Sequence, residues 1–220
     1  MRRRVILSSE ARAALFDPPD NHDDAQVRYI LAPEDTALAK QRRRSHNRLG
    51  FAIQLALVRD LGRPLRSDET LPNAVIDIVA DQIGIDPVVF EFYAKREETR
   101  REHAREIMAE LRLRPVQMAD YRLFIAAATR AAVGTEKGEP IVRAIIEMLK
   151  SRGIRVPGSD RIERLALAGR AAARRQAHRD RRSPFSYTCA TGCAPATSGS
   201  RAAEPGAASR IICCRGRPSN

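Results

Sequence analysis

Length, composition and charge restrict the class of protein before any motif is considered. The chain has 220 residues, a formal net charge of +12 and 43% hydrophobic residues. That is enough for one or two domains with a real core, whereas the absence of Trp argues against a stacking platform for single-stranded nucleic acid. Only four of the 39 basic residues are Lys, so 35 are Arg, whose planar fork binds phosphate. The composition makes a polyanion the expected partner.

The first residues resemble the start of a signal peptide but lack its apolar core. Three arginines at 2–4 precede only three apolar residues, and Glu10 and Arg12 follow. The longest apolar stretch, 51–58, is interrupted by Gln54 and is too short to span a bilayer. We therefore expect a cytoplasmic protein with no membrane partner.

The first third of the chain predicts four helices. The pattern favours a short helix over 9–16, a second over 23–31 and a third that begins at Pro33, because Pro is suited to a first helical position. Apolar residues at helical spacing predict a long helix over 45–61, and Gly62-Arg63-Pro64 ends it.

The clearest local signal lies at 83–87. A helix over 72–83 is followed by Gly84, which fits a left-handed stop, and Asp86 can cap a helix whose first residue is Pro87. Residues 76–96 thus have the shape of a helix-turn-helix. The second helix would offer bases only Val88, Val89, Glu91 and Phe92, so two packed helices in a larger bundle are the simpler interpretation.

The remaining pattern is also helical. Thr99 to Glu102 reads as a capping box that starts a helix, and further helices are predicted over 119–132, 140–152 and 160–179. Without convincing strand alternation, the prediction is an all-α, multi-helix bundle with helix-turn-helix-like elements. Pro115 suggests a boundary between a DNA-binding subdomain, 1–114, and a second helical subdomain, 115–181.

The sequence changes character near residue 182. Small residues, Gly and Pro dominate 182–220, which predicts a disordered tail. All four cysteines lie there, at 189, 193, 213 and 214, but two are adjacent and the spacing is poor for zinc. A shifted reading frame would explain the change, and this is a hypothesis.

Two arginine clusters are the predicted phosphate contacts. Arg42, Arg43, Arg44 and Arg48 precede or open the long helix, where the alternative is a solvated helix junction. The second cluster is Arg96, Arg100, Arg101, His103 and Arg105. Arg100 and Arg101 are expected in the first turn of a capped helix, where a bound phosphate would offset the unfavourable dipole. The alternative there is neutralisation by Glu97 and Glu98.

No catalytic, metal or cofactor motif is evident. His22-Asp23-Asp24 lies at a helix start, where acids are ordinary, and the acidic stripe at 98, 102, 106 and 110 is typical of a solvated face. Zinc-protease, nucleophile-elbow and phosphate-loop patterns are absent from the sequence. We expect no enzyme site and no cofactor.

Several motifs together resemble the N-terminal region of Tn3-type bacterial transposases, which form cointegrates. They are Asn47-Arg48-Leu49-Gly50-Phe51-Ala52-Ile53-Gln54-Leu55, Val79 to Pro87, Arg96 to His103, Val156-Pro157-Gly158 and Ile162-Glu163-Arg164, after Pro33-Glu34-Asp35. The resemblance implies a helical region that binds double-stranded DNA at terminal inverted repeats, with transposase self-association. It places the chemistry in a downstream RNase H-like domain, which we expect this chain to lack. The alternative is a non-catalytic fragment that interacts with full-length transposase, or an inert remnant.

Overall fold

The protein is all helical over the residues that the structure describes. The computed structural model describes residues 5–66, 69–95 and 97–182. Its α-helices are α1 Ser9–Phe16, α2 His22–Arg28, α3 Pro33–Lys40, α4 Ser45–Leu61, α5 Asn73–Ile83, α6 Phe90–Ala94, α7 Glu97–Glu110, α8 Asp120–Gly134, α9 Gly138–Ser151 and α10 Ser159–Arg182. The only β-type pairing in these ranges is a bridge between Arg114 and Ile154, so the all-α prediction is confirmed. The predicted tail, apart from Arg182, lies outside the described residues.

The first hydrophobic cluster is built around α4. This helix is apolar on most of its circumference, and its residues from Leu49 to Val58 are all buried. It ends as predicted at Gly62, whose φ of +70° is left-handed, a conformation that glycine adopts without steric cost. An added Cβ there would lie 2.5 Å from a Val156 methyl carbon, so the end of α4 is packed closely against a segment from far along the chain.

The turn after α5 has the predicted chemistry. Gly84 is left-handed, and the Asp86 carboxylate accepts a hydrogen bond from the Val88 N–H at 2.9 Å. The helix that follows is shorter than the sequence suggests, with a 3₁₀ turn at Pro87–Val89 and only five residues in α6. Its Tyr93 is buried against Gly50 of α4, which fits the interpretation of packed helices.

A second hydrophobic cluster joins α8, α9 and α10. The most extensive contact between described helices is that of α8 with α10. Gly169 lies so close to Ala128 there that a Cβ added to the glycine would be 2.3 Å from the alanine methyl group. Leu7 and Phe16, from the start of the chain, are buried in this cluster rather than in the first. The described residues up to Arg182 belong to one compact unit, and the division at 114/115 stays a prediction.

Candidate nucleic-acid interface

The arginines that precede α4 divide into two kinds. The Arg42 guanidinium donates two hydrogen bonds to Glu106 of α7, at 2.7 and 2.9 Å, and lies 4.5 Å from the centre of the Phe51 ring. Arg48 donates from Nε to the Arg42 carbonyl at 2.7 Å. These contacts join the start of α4 to α7, so the two arginine clusters predicted from the sequence lie on packed elements.

Arg43 and Arg44 point to solvent instead. Both side chains are exposed, and neither forms an ion pair within the described ranges. Arg44 is also the N-cap of α4, a helix with no acidic residue in its first turn. Its partly positive N-terminus is therefore not offset by a carboxylate of its own first turn, and it favours an anion.

The start of α7 differs from the prediction. The helix begins at Glu97, so Thr99 lies within it, and the predicted capping box at Thr99 is wrong. Arg100 and Arg101 are the fourth and fifth helical residues, beyond the first three N–H groups, which weakens the argument from the helix dipole. Arg96 lies outside the described residues.

Arg101 already has an acidic neighbour. Its guanidinium is 2.6 Å from the Glu97 carboxylate one turn earlier, with side chains 70% and 49% exposed. An exposed pair at this spacing stabilises a helix by only about 0.2–0.5 kcal/mol. Arg101 is thus neutralised locally, yet weakly enough that a phosphate could replace the carboxylate.

His103 lies in the protein interior. It is 8% exposed, its Nδ1 lies 3.1 Å from the Tyr93 hydroxyl and its ring stacks on Tyr93. Burial, and then the nearby Arg42 charge, lower its pKa below the usual range. A buried, neutral imidazole cannot reach a phosphate in this conformation, so we exclude His103 from the interface proposed below and treat it as a packing residue.

Three arginines of α7 line an open groove of about 320 Å³, called the α7 groove here. Its basic residues are Arg100, Arg101, Arg105 and Arg155, and its apolar floor includes Leu65 and Met108. The Arg100 Nε atom is buried and has no hydrogen-bond partner among the described residues. Buried donors are normally satisfied, so this donor has spare capacity.

Sequence reasoning missed Arg155, which comes from the segment between α9 and α10. This segment is held by backbone hydrogen bonds from the Arg155 N–H to the Arg114 carbonyl at 2.9 Å and from the Val156 N–H to the Gly62 carbonyl at 3.0 Å. Both partners are distant in sequence, so no local pattern could have placed Arg155 beside α7. The only sequence signal was the basic charge itself.

Neither a metal site nor a membrane span is found in the described part of the chain. There, no group of three or more His, Cys, Asp or Glu side chains could hold a metal ion. His22, Asp23 and Asp24 therefore form no such group. The four cysteines lie outside the described residues. No described helix combines the length and apolar character needed to cross a bilayer.

Comparison with known proteins places the chain in a family. Residues 6–169 match the family model described as Domain of unknown function (DUF4158), and the chain belongs to this family. It corresponds to the N-terminal region of Tn3-family transposases, as the motifs implied.

The relatives extend well beyond the matched region. The chain is 37% identical over 179 residues to the transposase for transposon Tn501 of Pseudomonas aeruginosa, a match that covers 81% of this chain and 18% of the relative. It is 36% identical over 164 residues to the transposase for transposon Tn21 of Escherichia coli, covering 74% and 17%. A third relative is the transposase for transposon Tn1546 of Enterococcus faecium, 29% identical over 175 residues, covering 80% and 18%. The chain thus spans less than a fifth of the length of these relatives.

Proposed function

We propose that this chain binds double-stranded DNA at the terminal inverted repeats of a transposon. The observation that carries the proposal is the α7 groove, where four arginines of a helical domain related to transposases surround one open surface. Guanidinium groups recognise phosphate oxygens through charge-assisted, two-pronged hydrogen bonds. Phosphate contacts of this kind supply most of the affinity of a protein for duplex DNA.

Arg43 and Arg44 are proposed as additional phosphate contacts. They are exposed and form no ion pair among the described residues, so their charges are available to a phosphate. The N-terminus of α4, which has no side-chain cap, adds a partial positive charge beside them. The proposed DNA-binding residues are therefore Arg43, Arg44, Arg100, Arg101 and Arg105, with Arg155 added from the structure.

Fluorescence anisotropy tests the proposal. The protein is titrated into a labelled terminal-repeat duplex and into a labelled scrambled duplex, at several salt concentrations. We expect binding that weakens steeply with salt and a higher affinity for the repeat. Arg100→Gln combined with Arg105→Gln should weaken binding to both duplexes, because phosphate contacts carry no sequence information.

A matched control comes from α8. Arg122 and Arg130 are exposed and do not line the α7 groove, so neutralising both removes the same charge elsewhere. The control pair should retain nearly full affinity. If the wild-type chain binds neither duplex even at low salt, DNA binding is the wrong function, and association with a transposase becomes the better hypothesis.

A further inference from the structure

A second arginine-lined groove lies beside the first. It is open, has a volume of about 460 Å³ and is lined at the start of α10 by Arg161 and Arg164. Pro115, Val116 and Pro157 form part of its wall, and Arg155 is common to both grooves. We call it the α10 groove. None of its arginines belongs to the two clusters predicted from the sequence.

The cations of the α10 groove are largely available. Arg155 and Arg161 are exposed, and their side chains have no hydrogen bond or ion pair within the described ranges. Among the described residues, Arg164 donates only from Nε, to the Asp160 carbonyl at 3.2 Å, so its two terminal nitrogens form no hydrogen bond there. Three guanidinium groups therefore face a surface wide enough for an extended ligand.

The acidic residues at this end of α10 are held by another arginine. The Asp160 carboxylate, which lines the groove, lies 3.4 Å from the Arg12 guanidinium. Arg12 also forms an ion pair with the buried carboxylate of Glu163. With Arg12 counted, four guanidinium groups face these two carboxylates, so this end of α10 keeps a local net charge of +2.

The backbone adds to the positive potential. The groove includes Gly158, the residue before α10, and α10 is 24 residues long. A helix N-terminus carries about half a positive charge and presents N–H groups to an anion. A Cβ at Gly158 would meet no atom within 4 Å, so this stretch of backbone can be approached closely.

Arg155 is held firmly between the two grooves. It lies between Ile154 and Val156, which are 1% and 3% exposed, and its own N–H donates to the Arg114 carbonyl. Arg114, its neighbour across this bridge, is unavailable because both terminal nitrogens bind Asp120 at 2.7 and 2.8 Å. The ordered backbone thus presents Arg155 as the link between two basic surfaces.

We propose that the DNA backbone bound in the α7 groove continues past Arg155 into the α10 groove, where Arg161 and Arg164 bind further phosphates. This inference rests on the proposed function. It extends the surface that contacts DNA across both hydrophobic clusters. The contact is made to the sugar-phosphate backbone of a duplex and is independent of sequence. It adds affinity and orients the protein on the DNA.

The test is the salt dependence of duplex binding by Arg161→Gln combined with Arg164→Gln. Each phosphate contact contributes about 0.9 to the slope of log Kobs against log salt concentration. We expect the slope of the double variant to be less steep by about 1.8, with an equal loss of affinity for repeat and scrambled duplexes. Arg161→Gln alone should reduce the slope by about 0.9 and serves as a second test if the double variant does not fold.

The matched control lies on the same helix. Arg175 and Arg179 are exposed near the other end of α10, so Arg175→Gln with Arg179→Gln changes the net charge equally. This pair should leave the slope unchanged. If the two double variants reduce the slope equally, the effect is one of diffuse charge and the inference is overturned. It is also overturned if neither double variant changes the slope. Wild-type protein that does not bind duplex DNA would instead overturn the proposed function.

Discussion

Arginines in two neighbouring regions of this molecule have different roles. At the contact between α4 and α7, Arg42 is 20% exposed and is bonded to Glu106 and packed on Phe51. In the adjoining α7 groove, Arg105 and Arg155 are exposed and have no ion pair among the described residues. Arg42 and these two groove arginines thus differ in whether they form an ion pair among the described residues.

This difference shows that a run of arginines in a sequence is not a set of equivalent cations. Arg42, Arg43 and Arg44 are consecutive, yet among the described residues only Arg42 forms an ion pair with a carboxylate. A bound arginine stabilises the folded chain, whereas an unpaired one leaves its charge for a ligand. Substitutions should therefore separate the two kinds by their effects on stability and on DNA affinity.

The largest effect is expected at Arg63, the most buried of the bonded arginines. The residue is 5% exposed, and its guanidinium donates to the two Glu69 oxygens at 2.5 and 2.7 Å and to the Phe16 carbonyl at 2.8 Å. Burial alone would raise the pKa of Glu69, but its hydrogen bonds to Arg63 and to the Arg66 N–H lower it. Arg63→Ala leaves that charge buried and uncompensated, and should cost about 3–5 kcal/mol in the free energy of unfolding, measured with urea.

Arg155→Ala is the control for Arg63→Ala. Its side chain is exposed and unpaired in the described structure, so the free energy of unfolding should change by no more than about 0.5 kcal/mol. Equal destabilisation by the two variants would contradict the division of the arginines into bonded and available ones.

Sequence reasoning predicted the local features of the fold better than the site. Gly62, Gly84 and Asp86-Pro87 act through their own backbone or the next residue, so a pattern of a few letters was sufficient. His103 and Arg155 are defined by partners far along the chain, namely Phe51 and the backbone at Arg114. Thr99 has the letters of a capping box, but the helix that contains it begins two residues earlier, so its side chain caps no helix start.

The second prediction compares the consecutive residues Arg42 and Arg43. Arg42→Gln removes an ion pair and a cation–π contact and should reduce the free energy of unfolding by about 1–2 kcal/mol. Arg43→Gln should change stability by less than about 0.5 kcal/mol but weaken duplex binding. Urea unfolding and fluorescence anisotropy on both variants measure the two effects. The division fails here if Arg42→Gln weakens binding more than Arg43→Gln does, at temperatures where both are folded.

A third prediction concerns Glu97, which competes with phosphate for Arg101. Glu97→Gln removes the carboxylate 2.6 Å from that guanidinium and should increase duplex affinity by a factor of about 2–5, an effect on the order of 1 kcal/mol or less. The gain should disappear when Arg101 is also replaced by Gln. Glu139→Gln, which breaks an exposed pair with Arg143 of the same spacing on α9, is the control and should leave affinity nearly unchanged.

The smallest expected effect is the pH dependence that arises from His103. Burial lowers the pKa of this imidazole in the folded chain, so the folded state binds its proton less readily than the unfolded chain does. Its contribution to stability is therefore present above the ordinary pKa of histidine, near 6.5, and is lost as the pH falls through that value toward the lower pKa of the folded chain. The melting temperature of the wild type should fall on acidification, and His103→Gln should reduce that fall.

Duplex affinity measured over the same pH range distinguishes a His103 that packs in the interior from one that contacts phosphate. A histidine that contacts phosphate would become more protonated on binding, so duplex affinity would rise on acidification and His103→Gln would abolish the rise. A packing histidine held against Tyr93 at 3.1 Å predicts no such difference between the two proteins while both remain folded. Anisotropy measured across this pH range, at temperatures well below both melting transitions, distinguishes the two cases. A rise in affinity specific to the wild type would return His103 to the DNA-binding surface.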